Sequence, residues 1–223
     1  MNDFRFRGLT AKSVQEINRG VILRMIYERR LCSRSEIAQG SGLDASTVTR
    51  VVQQLVDDRI VEECILQKVE NQRGRRSIGL KMAADPHRVL VVRLQRLNFK
   101  VAMLDLTGSI LKSIEIPVNS VSTAENIFDH IVESLNSFLG LCKENLVGIG
   151  ITLPGPFLED SERIVLITES PDWHQFDLIK RLREHYKNIP IHSKHDAKAA
   201  ALAVWISQGL DSESKVTLYL SAG

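Results

Sequence analysis

Apolar residues recur every three or four positions along residues 13–29, the spacing of one face of an α-helix. A second helix is expected to begin at Ser33, because Glu36 follows it by three residues and the two form a capping box. Gly40 and Gly42 are expected to end this helix and to provide the turn after it. The apolar face of the first helix comprises Val14, Ile17, Val21, Ile22, Met25 and Ile26.

A third helix is expected after Asp44, a residue type that caps helices, through the stretch ASTVTRVVQQLVDDR. At about 100° per residue, its apolar and polar side chains separate onto two faces. The apolar face comprises Val48, Val51, Val52 and Leu55. The polar face comprises Ser46, Thr49, Arg50 and Gln53, with Thr47 and Gln54 beside it and no acid before Asp57. A helix, a glycine turn and another helix predict a helix-turn-helix.

Residues 60–82 read as two strands around a basic turn that holds Arg73, Gly74, Arg75 and Arg76, the wing of a winged helix. Such a turn can follow the DNA backbone or enter the minor groove, and the alternative is a solvated linker. Polar and basic side chains on the third helix can reach base edges and phosphates. The candidate DNA-binding residues are therefore Ser46, Thr47, Thr49, Arg50, Gln53, Arg73, Arg75 and Arg76.

The rest of the chain predicts an α/β domain. Residues 89–94, 99–105 and 109–116 read as three strands, and 123–142 reads as a helix. A buried strand, LVGIGITLPG, then precedes a helix (FDLIKRLREHY), a strand (IPIHSKH), an alanine-rich helix (DAKAAALAVWISQG) and a last strand (KVTLYLSAG). We expect a winged helix-turn-helix domain over residues 1–80 and the α/β domain over residues 81–223.

Charge is distributed unevenly along the 223 residues. Residues 1–76 carry 14 Lys and Arg against 10 Asp and Glu, whereas residues 77–223 carry 15 against 17. A basic front end favours an anionic partner. The polar N-terminus and the absence of a run of about 18 apolar residues predict a cytoplasmic chain without a membrane span. Cys32, Cys64 and Cys142 have no paired spacing, so we expect buried thiols and neither disulfides nor a metal or other cofactor.

The sequence resembles the ROK family, which groups repressors and sugar kinases. The resemblance rests on CSRSEIAQGSGLDASTVTRVVQQLVDDRIVEE with GRRS, then VAMLDLTGSIL, GIGITLPGPF and HDAKAAALA, in that order and spacing. It implies a ribonuclease-H-like, actin-type sugar-kinase fold behind the winged helix. It also implies a sugar-responsive transcription factor, usually a repressor and usually a homodimer, that binds double-stranded DNA and a sugar or sugar phosphate effector.

The resemblance places Asp196 at the position of the kinases' general base, a role that needs an ionised carboxylate near the sugar hydroxyl. The family's Asn and Glu before that residue are His195 and Lys194 here, and Lys198 replaces a second Asn. Gly155 matches a turn near the sugar. Gly155, His195 and Asp196 are thus the candidate effector-binding residues, although Asp196 could serve as an N-cap and Gly155 could serve the turn alone.

Trp173 matches a tryptophan of the family, which could stack on a sugar ring or anchor a loop.

Two features argue against phosphoryl transfer. The hairpin VVRLQRLNFKVAMLDLTG has no glycine between Leu94 and Lys100, and its first acid, Asp105, lies at the far end of the second strand. The chain also stops at SAG, where family members enter a second glycine-rich loop, so we expect only the first lobe of a C-terminally truncated kinase-like domain. The expected function is a non-enzymatic DNA-binding regulator of sugar utilisation. A sugar kinase carrying a winged helix and a winged helix that binds protein are the alternatives.

Overall fold

The computed structural model describes residues 10–65, 78–118, 123–158, 162–164, 173 and 176–207. The chain divides into two compact units between Ala83 and Ala84, here called the N-terminal unit and the C-terminal unit. That the domain boundary falls at residues 80 and 81 stays a prediction.

The N-terminal unit is a winged helix, as the sequence predicts. Its elements are α1 (Ala11–Arg29), β1 (Cys32–Ser33), α2 (Arg34–Ser41), α3 (Ala45–Asp57), β2 (Val61–Ile65) and β3 (Ile78–Met82). The three strands form an antiparallel sheet in the order β1-β3-β2. The pairing of the two-residue strand β1 with β3 was not predicted, because two residues carry no periodic signal.

Helices α1, α2 and α3 pack around one small core. It consists of Ile22, Met25, Ile26, Cys32, Ile37, Val48, Val51, Val52, Leu55, Val61 and Leu80. All four apolar residues predicted for α3 are fully buried. The N-terminal half of α1 contributes nothing to this core, since Val14, Ile17 and Val21 are exposed.

Two glycines were predicted to end α2 and to provide the turn before α3. One of them does so, and the other does not. Gly42 ends α2 in the left-handed conformation, with φ at 69°, and its N–H donates to the Ala38 carbonyl at 3.0 Å. Gly40 instead lies inside α2. A Cβ at Gly40 would come within 2.6 Å of Met25 Cε, so this glycine lets α2 approach α1 closely.

The C-terminal unit is a mixed α/β structure. Its strands are β4 (Arg88–Leu94), β5 (Asn98–Leu104), β6 (Ile110–Pro117), β7 (Leu146–Leu153), β8 (Phe157–Leu158), β9 (Arg163–Ile164) and β10 (Ile191–His195). Its helices are α4 (Ala124–Cys142), α5 (Leu178–His185) and α6 (Asp196–Ser207), and a 3-10 turn spans Lys143–Asn145. The predicted α/β class is confirmed. Most of the predicted strands and helices begin and end within two residues of the observed ones. The predicted last strand lies outside the described residues.

A five-stranded sheet in the order β10-β7-β4-β5-β6 organises this unit, and β8 pairs with β9 apart from it. β4, β7 and β10 run parallel, whereas β5 and β6 are antiparallel to their neighbours. Helices α4 and α5 pack on one sheet face through a core that includes Leu90, Val92, Ile131, Leu135 and Leu182. The carboxyl ends of the three parallel strands meet at one edge, which we call the carboxyl edge.

Candidate functional sites

The polar face of α3 is exposed as predicted. Ser46, Thr49, Arg50 and Gln53 are exposed, and Thr47 and Gln54 are half-buried beside them. A shallow open depression of about 680 Å³ lies on this face, and it is lined by Ala45, Ser46, Thr49, Arg50, Gln53 and Gln54. The buried valines and Leu55 hold the opposite side of the helix, so packing in the core turns this polar face outward.

Hydrogen bonds already orient two of these side chains. The Thr49 hydroxyl donates to the Ala45 carbonyl at 2.8 Å, and the Gln53 amide donates to the Asp57 carboxylate at 2.9 Å. The Thr49 oxygen and the Gln53 carbonyl oxygen therefore remain available as acceptors.

Arg50 differs from three other arginines of the N-terminal unit. Arg19 pairs with Asp58 at 2.8 Å, Arg24 with Glu28 at 2.7 Å and Arg34 with Glu63 at 2.6 Å. Within the ranges that the structure describes, Arg50 makes no ion pair or hydrogen bond through its side chain. Its guanidinium keeps its fork of donors free for a planar acceptor.

The N-terminus of α3 adds backbone donors to the face. Asp44 occupies the N-cap position, but its side chain makes no capping hydrogen bond, which corrects the expectation that it caps α3. The first amides of α3 are therefore not satisfied by Asp44 and point out of the helix end, where a phosphate oxygen could accept from them. The exposed Asp44 carboxylate lies at the same end and opposes an anion there.

The predicted wing residues Arg73, Arg75 and Arg76, with Gly74, lie outside the described residues. The strands that flank them are described, and Ile65 is in register with Ile78 across β2 and β3. Ile65 and Ile78, which flank the predicted wing turn, are therefore paired neighbours in the sheet.

At the carboxyl edge of the C-terminal unit, the fold brings together the three predicted effector-binding residues. Gly155 follows the end of β7, and His195 and Asp196 join β10 to α6. A Cβ at Gly155 would lie 2.4 Å from His195 Nε2, so the absence of a side chain lets the His195 ring sit against the backbone. His195 Nε2 lies 3.6 Å from Asp196 Oδ1.

Asp196 is the first residue of α6, and its Oδ1 accepts from the Ala197 N–H at 2.6 Å. Its side chain is 31% exposed. The carboxylate is thus partly engaged with the helix backbone and partly open to solvent, so the geometry accommodates both roles considered for this residue. The effector-binding role stays a prediction.

The turn between β4 and β5 lacks the backbone geometry of a phosphate loop. The Gln95 N–H donates to the Asn98 carbonyl at 2.9 Å, and Arg96 and Leu97 at the tip are exposed. Among the described non-glycine residues, positive φ occurs at Arg30, Arg59 and Glu162, none of them in this turn. A nest of converging amides needs such angles or glycines.

The carboxylate of Asp105 is engaged in the turn between β5 and β6. It accepts from the Thr107 N–H at 2.8 Å, the Thr107 hydroxyl at 2.6 Å and the Ser109 N–H at 3.0 Å. Burial acts to raise the pKa of Asp105, but these hydrogen bonds, with the charge of Arg88, outweigh it and hold the pKa below its ordinary value. Its role in the structure is to form the turn.

Trp173 is 1% exposed and packs edge-on against Phe176, with ring centroids 5.7 Å apart. Of the two roles considered for it, the structure supports the anchor. Cys32 and Cys142 are buried and Cys64 is half-buried, which corrects the expectation for Cys64, and all three are free thiols. Burial raises the pKa of Cys32 to about 11, with a further contribution from Glu36.

Metal-ligating side chains are dispersed in the described part of the chain. Across those ranges, His, Cys, Asp and Glu side chains do not gather in groups of three or more that could hold a metal ion. None of the helices described has the length and apolar character needed to cross a membrane.

Each of the two units is similar to a known protein family. Residues 89–223 match the model of the ROK family, and residues 16–63 match that of the MarR family. The first match covers more than half of the chain, which therefore belongs to the ROK family. The second runs from within α1 to within β2 and shows that the helix-turn-helix is similar to that of MarR proteins.

Curated relatives include regulators. The chain is 26% identical over 195 residues to the DNA-binding transcriptional dual regulator NagC of Escherichia coli K12, covering 85% of this chain and 46% of NagC. It is 24% identical over 190 residues to the xylose repressor of Bacillus subtilis 168, covering 84% and 48%. The chain thus spans about half the length of the curated relatives it matches.

Among solved structures, the chain matches a ROK family transcriptional regulator described as a homologue of the E. coli MLC protein. The TM-score is 0.67 at 21% identity, over 89% of this chain and 50% of that one. At this identity the likeness shows a shared fold.

Proposed function

We propose that the chain is the DNA-binding part of a transcriptional regulator, a repressor of sugar-utilisation genes, and that its winged helix binds duplex DNA through the polar face of α3. The observation that carries this proposal is the exposed face of Ser46, Thr49, Arg50 and Gln53, with Arg50 unpaired among the described residues. A helix with this surface fits the major groove, where arginine can donate two hydrogen bonds to guanine.

The surrounding charge pairs support this assignment over a merely solvated helix face. Arg19 and Arg34 are each tied to an acid of the same unit, so their charges are partly neutralised. Arg50 is left as an unpaired cation, among the described residues, at the centre of a surface that Ser46, Thr49 and Gln53 extend with neutral polar groups. A helix that served only solubility would gain from a nearby acid at helical spacing, which Arg50 lacks.

We further propose that the C-terminal unit does not transfer phosphate and instead binds a sugar or sugar phosphate effector at the carboxyl edge, near Gly155, His195 and Asp196. NagC and the xylose repressor are regulators by name, and the β4–β5 turn lacks the backbone geometry of a phosphate loop. Open α/β sheets bind ligands at the carboxyl ends of their strands, where these three residues lie.

A homodimer follows from the proposed mode of DNA binding. A single helix in one major groove contacts a few base pairs, and helix-turn-helix regulators gain specificity by reading two half-sites one helical turn apart. The proposed operator is therefore an inverted repeat.

Selection of bound sequences from a random duplex pool tests the proposal. We expect an enriched inverted repeat and binding that weakens steeply as salt is added, because phosphate contacts release counterions. No enrichment, together with no salt-sensitive shift of any duplex, would favour the protein-binding module. Sugar-dependent ATP turnover by the purified chain would favour the kinase.

A further inference from the structure

Strand register in the C-terminal unit aligns basic side chains that are far apart in sequence. Lys194 on β10 is in register with Thr152 on β7, Thr152 with Arg93 on β4, and Arg93 with Lys100 on β5. Registered residues on neighbouring strands point to the same face of a sheet. Lys194, Thr152, Arg93 and Lys100 therefore form one row across four adjacent strands, here called the basic row.

The basic row lies on the face away from α4 and α5. The residues next to it in sequence point the other way, since Val92, Leu94, Phe99 and Leu153 are buried in the core that those helices cover. Arg93 and Lys194 are exposed, and Lys100 and Thr152 are half-buried. A ligand in solution can therefore reach Arg93 and Lys194 directly, and Lys100 and Thr152 in part.

The positive charges in this row repel one another. Arg93 and Lys100 are directly opposite across an antiparallel pair, an arrangement that destabilises a sheet unless a counter-charge is present. Within the described part of the chain, neither these two side chains nor that of Lys194 makes an ion pair or a hydrogen bond. Glu115 lies opposite Lys100 on β6, yet the two do not form an ion pair.

The row also lies beside the proposed effector site. Thr152 is three residues before Gly155, and Lys194 directly precedes His195 and Asp196. With strands about 4.8 Å apart, the three cations span about 14 Å, which long flexible side chains can close around one anion. The Thr152 hydroxyl, between Lys194 and Arg93, supplies a further donor.

We propose that the basic row binds the phosphate group of a phosphorylated effector. Three cations and a hydroxyl then neutralise a phosphate monoester dianion, whose organic part extends along the carboxyl edge toward Gly155 and Asp196. This inference rests on the proposed function for the ligand's role as effector, whereas the anion site itself depends only on the sheet.

The expected ligand carries a phosphate monoester and not a nucleoside triphosphate. A monoester needs charge and a few donors, which the row supplies, and the charge-assisted hydrogen bonds are strong ones. Magnesium-bound triphosphate needs in addition an acid for the metal and converging amides, which the β4–β5 turn does not offer.

Calorimetric titration of the 223-residue chain with glucose 6-phosphate, glucose and inorganic phosphate, at constant ionic strength set with NaCl, tests the proposal. We expect inorganic phosphate and glucose 6-phosphate to bind and glucose to bind at least about tenfold more weakly than its phosphate. Arg93→Gln, Lys100→Gln and Lys194→Gln should each weaken phosphate binding about tenfold, since each removes a charge-assisted hydrogen bond. Lys180→Gln, the same charge change on α5, should leave it within about twofold.

Thermal unfolding provides a readout that does not depend on the sugar. Without phosphate and at low salt, Arg93→Gln should raise the unfolding temperature by about 1–2 °C, because it removes the charge opposed to Lys100 and Arg93 has no acid in register with it. Phosphate should stabilise the wild type more than chloride at equal ionic strength, and this difference should be smaller for Arg93→Gln and for Lys100→Gln than for Lys180→Gln.

Three results would overturn the proposal: phosphate that does not bind, Lys180→Gln weakening binding as much as the row variants, or row variants that lose duplex DNA and keep phosphate. The last result would assign the row to the DNA backbone. Phosphate binding with no DNA binding would refute the proposed function and leave the anion site standing. DNA binding without phosphate binding would refute this inference alone.

Discussion

Arg50 is the residue on which base recognition is expected to depend. It lies near the centre of the exposed face of α3. Its neighbours Thr49 and Gln53 donate to Ala45 and Asp57, and not to Arg50. We expect Arg50→Ala to weaken binding to the selected DNA by about 1–3 kcal/mol and to relax preference at one base pair, as removal of a bidentate hydrogen bond to a base should.

Fluorescence anisotropy on the selected duplex and on single-base variants measures this effect. Lys12→Ala removes one exposed positive charge from α1 and serves as the control, with circular dichroism to show that both variants fold. If Arg50→Ala binds with unchanged affinity and unchanged base preference, Arg50 does not read a base.

Ser33 and Glu36 set the start of α2 through reciprocal hydrogen bonds. The Ser33 N–H donates to Glu36 Oε2 at 2.7 Å, and the Glu36 N–H donates to Ser33 Oγ at 3.3 Å. The backbone N–H of Ser33, then its hydroxyl, lower the pKa of Glu36 below its ordinary value of 4.5. The stabilisation is therefore present above about pH 4.5 and is lost as the pH falls through the lower folded-state pKa.

We expect Ser33→Ala to destabilise α2 by about 1 kcal/mol at neutral pH, because the cap acceptor is removed. Glu36→Gln should keep most of the cap and remove its acid dependence. Hydrogen exchange of the α2 amides between about pH 2.5 and 6, a range that extends below the ordinary pKa of Glu36, corrected for the intrinsic rate, measures both. Equal acid sensitivity in wild type and Glu36→Gln would show that another group controls this helix.

At the scale of elements, the hairpin of β2 and β3 is expected to contact DNA without reading sequence. Arg75 and Arg76 belong to the segment between these strands, and arginine at such a turn meets phosphates or the minor groove. Replacing both with Ala should weaken binding to all sequences alike. It should also reduce the slope of log K against log salt by about 0.9 for each phosphate that the variant no longer neutralises.

Titrations of the selected duplex and of a scrambled duplex at several salt concentrations provide the measurement. Arg50→Ala is the matched comparison, since it should affect the selected duplex more than the scrambled one. A salt slope that does not change in the double variant would return this segment to the role of a linker.

Considered as a whole molecule, the chain combines a winged helix that is proposed to bind DNA with a ROK-family α/β unit that is expected not to transfer phosphate. The β4–β5 turn has no glycine, and the Asp105 carboxylate is engaged in a different turn at the other end of β5. We therefore expect no ATP-dependent phosphorylation of any hexose, although Asp196 is present, because charge without geometry does not position the γ-phosphate.

A coupled assay over a panel of hexoses, with a sugar kinase as positive control, and calorimetry with ATP and Mg²⁺ check this expectation. Weak, metal-independent binding of the triphosphate through Arg93 or Lys100 would be consistent with it. Tight Mg²⁺-dependent ATP binding that survives Arg93→Ala and Arg96→Ala would contradict it and favour the kinase.

The sequence alone predicted the features whose causes are local. The burial of Val48, Val51, Val52 and Leu55 follows from helical periodicity, and the Ser33 capping box from a three-residue spacing, so both could be read directly. The alternation of helices and strands in the C-terminal unit likewise predicted its class.

Tertiary structure decided what depends on residues distant in sequence. Gly40 resembled a helix end, but its role comes from the approach of Met25 on another helix. The contact of Gly155 with His195 could be expected only through the family resemblance. The basic row could not be predicted at all, because a shift of one residue in the register of a strand turns its side chains to the other face. Local patterns specify which elements form, whereas strand register and helix packing, which involve the whole unit, specify which side chains meet.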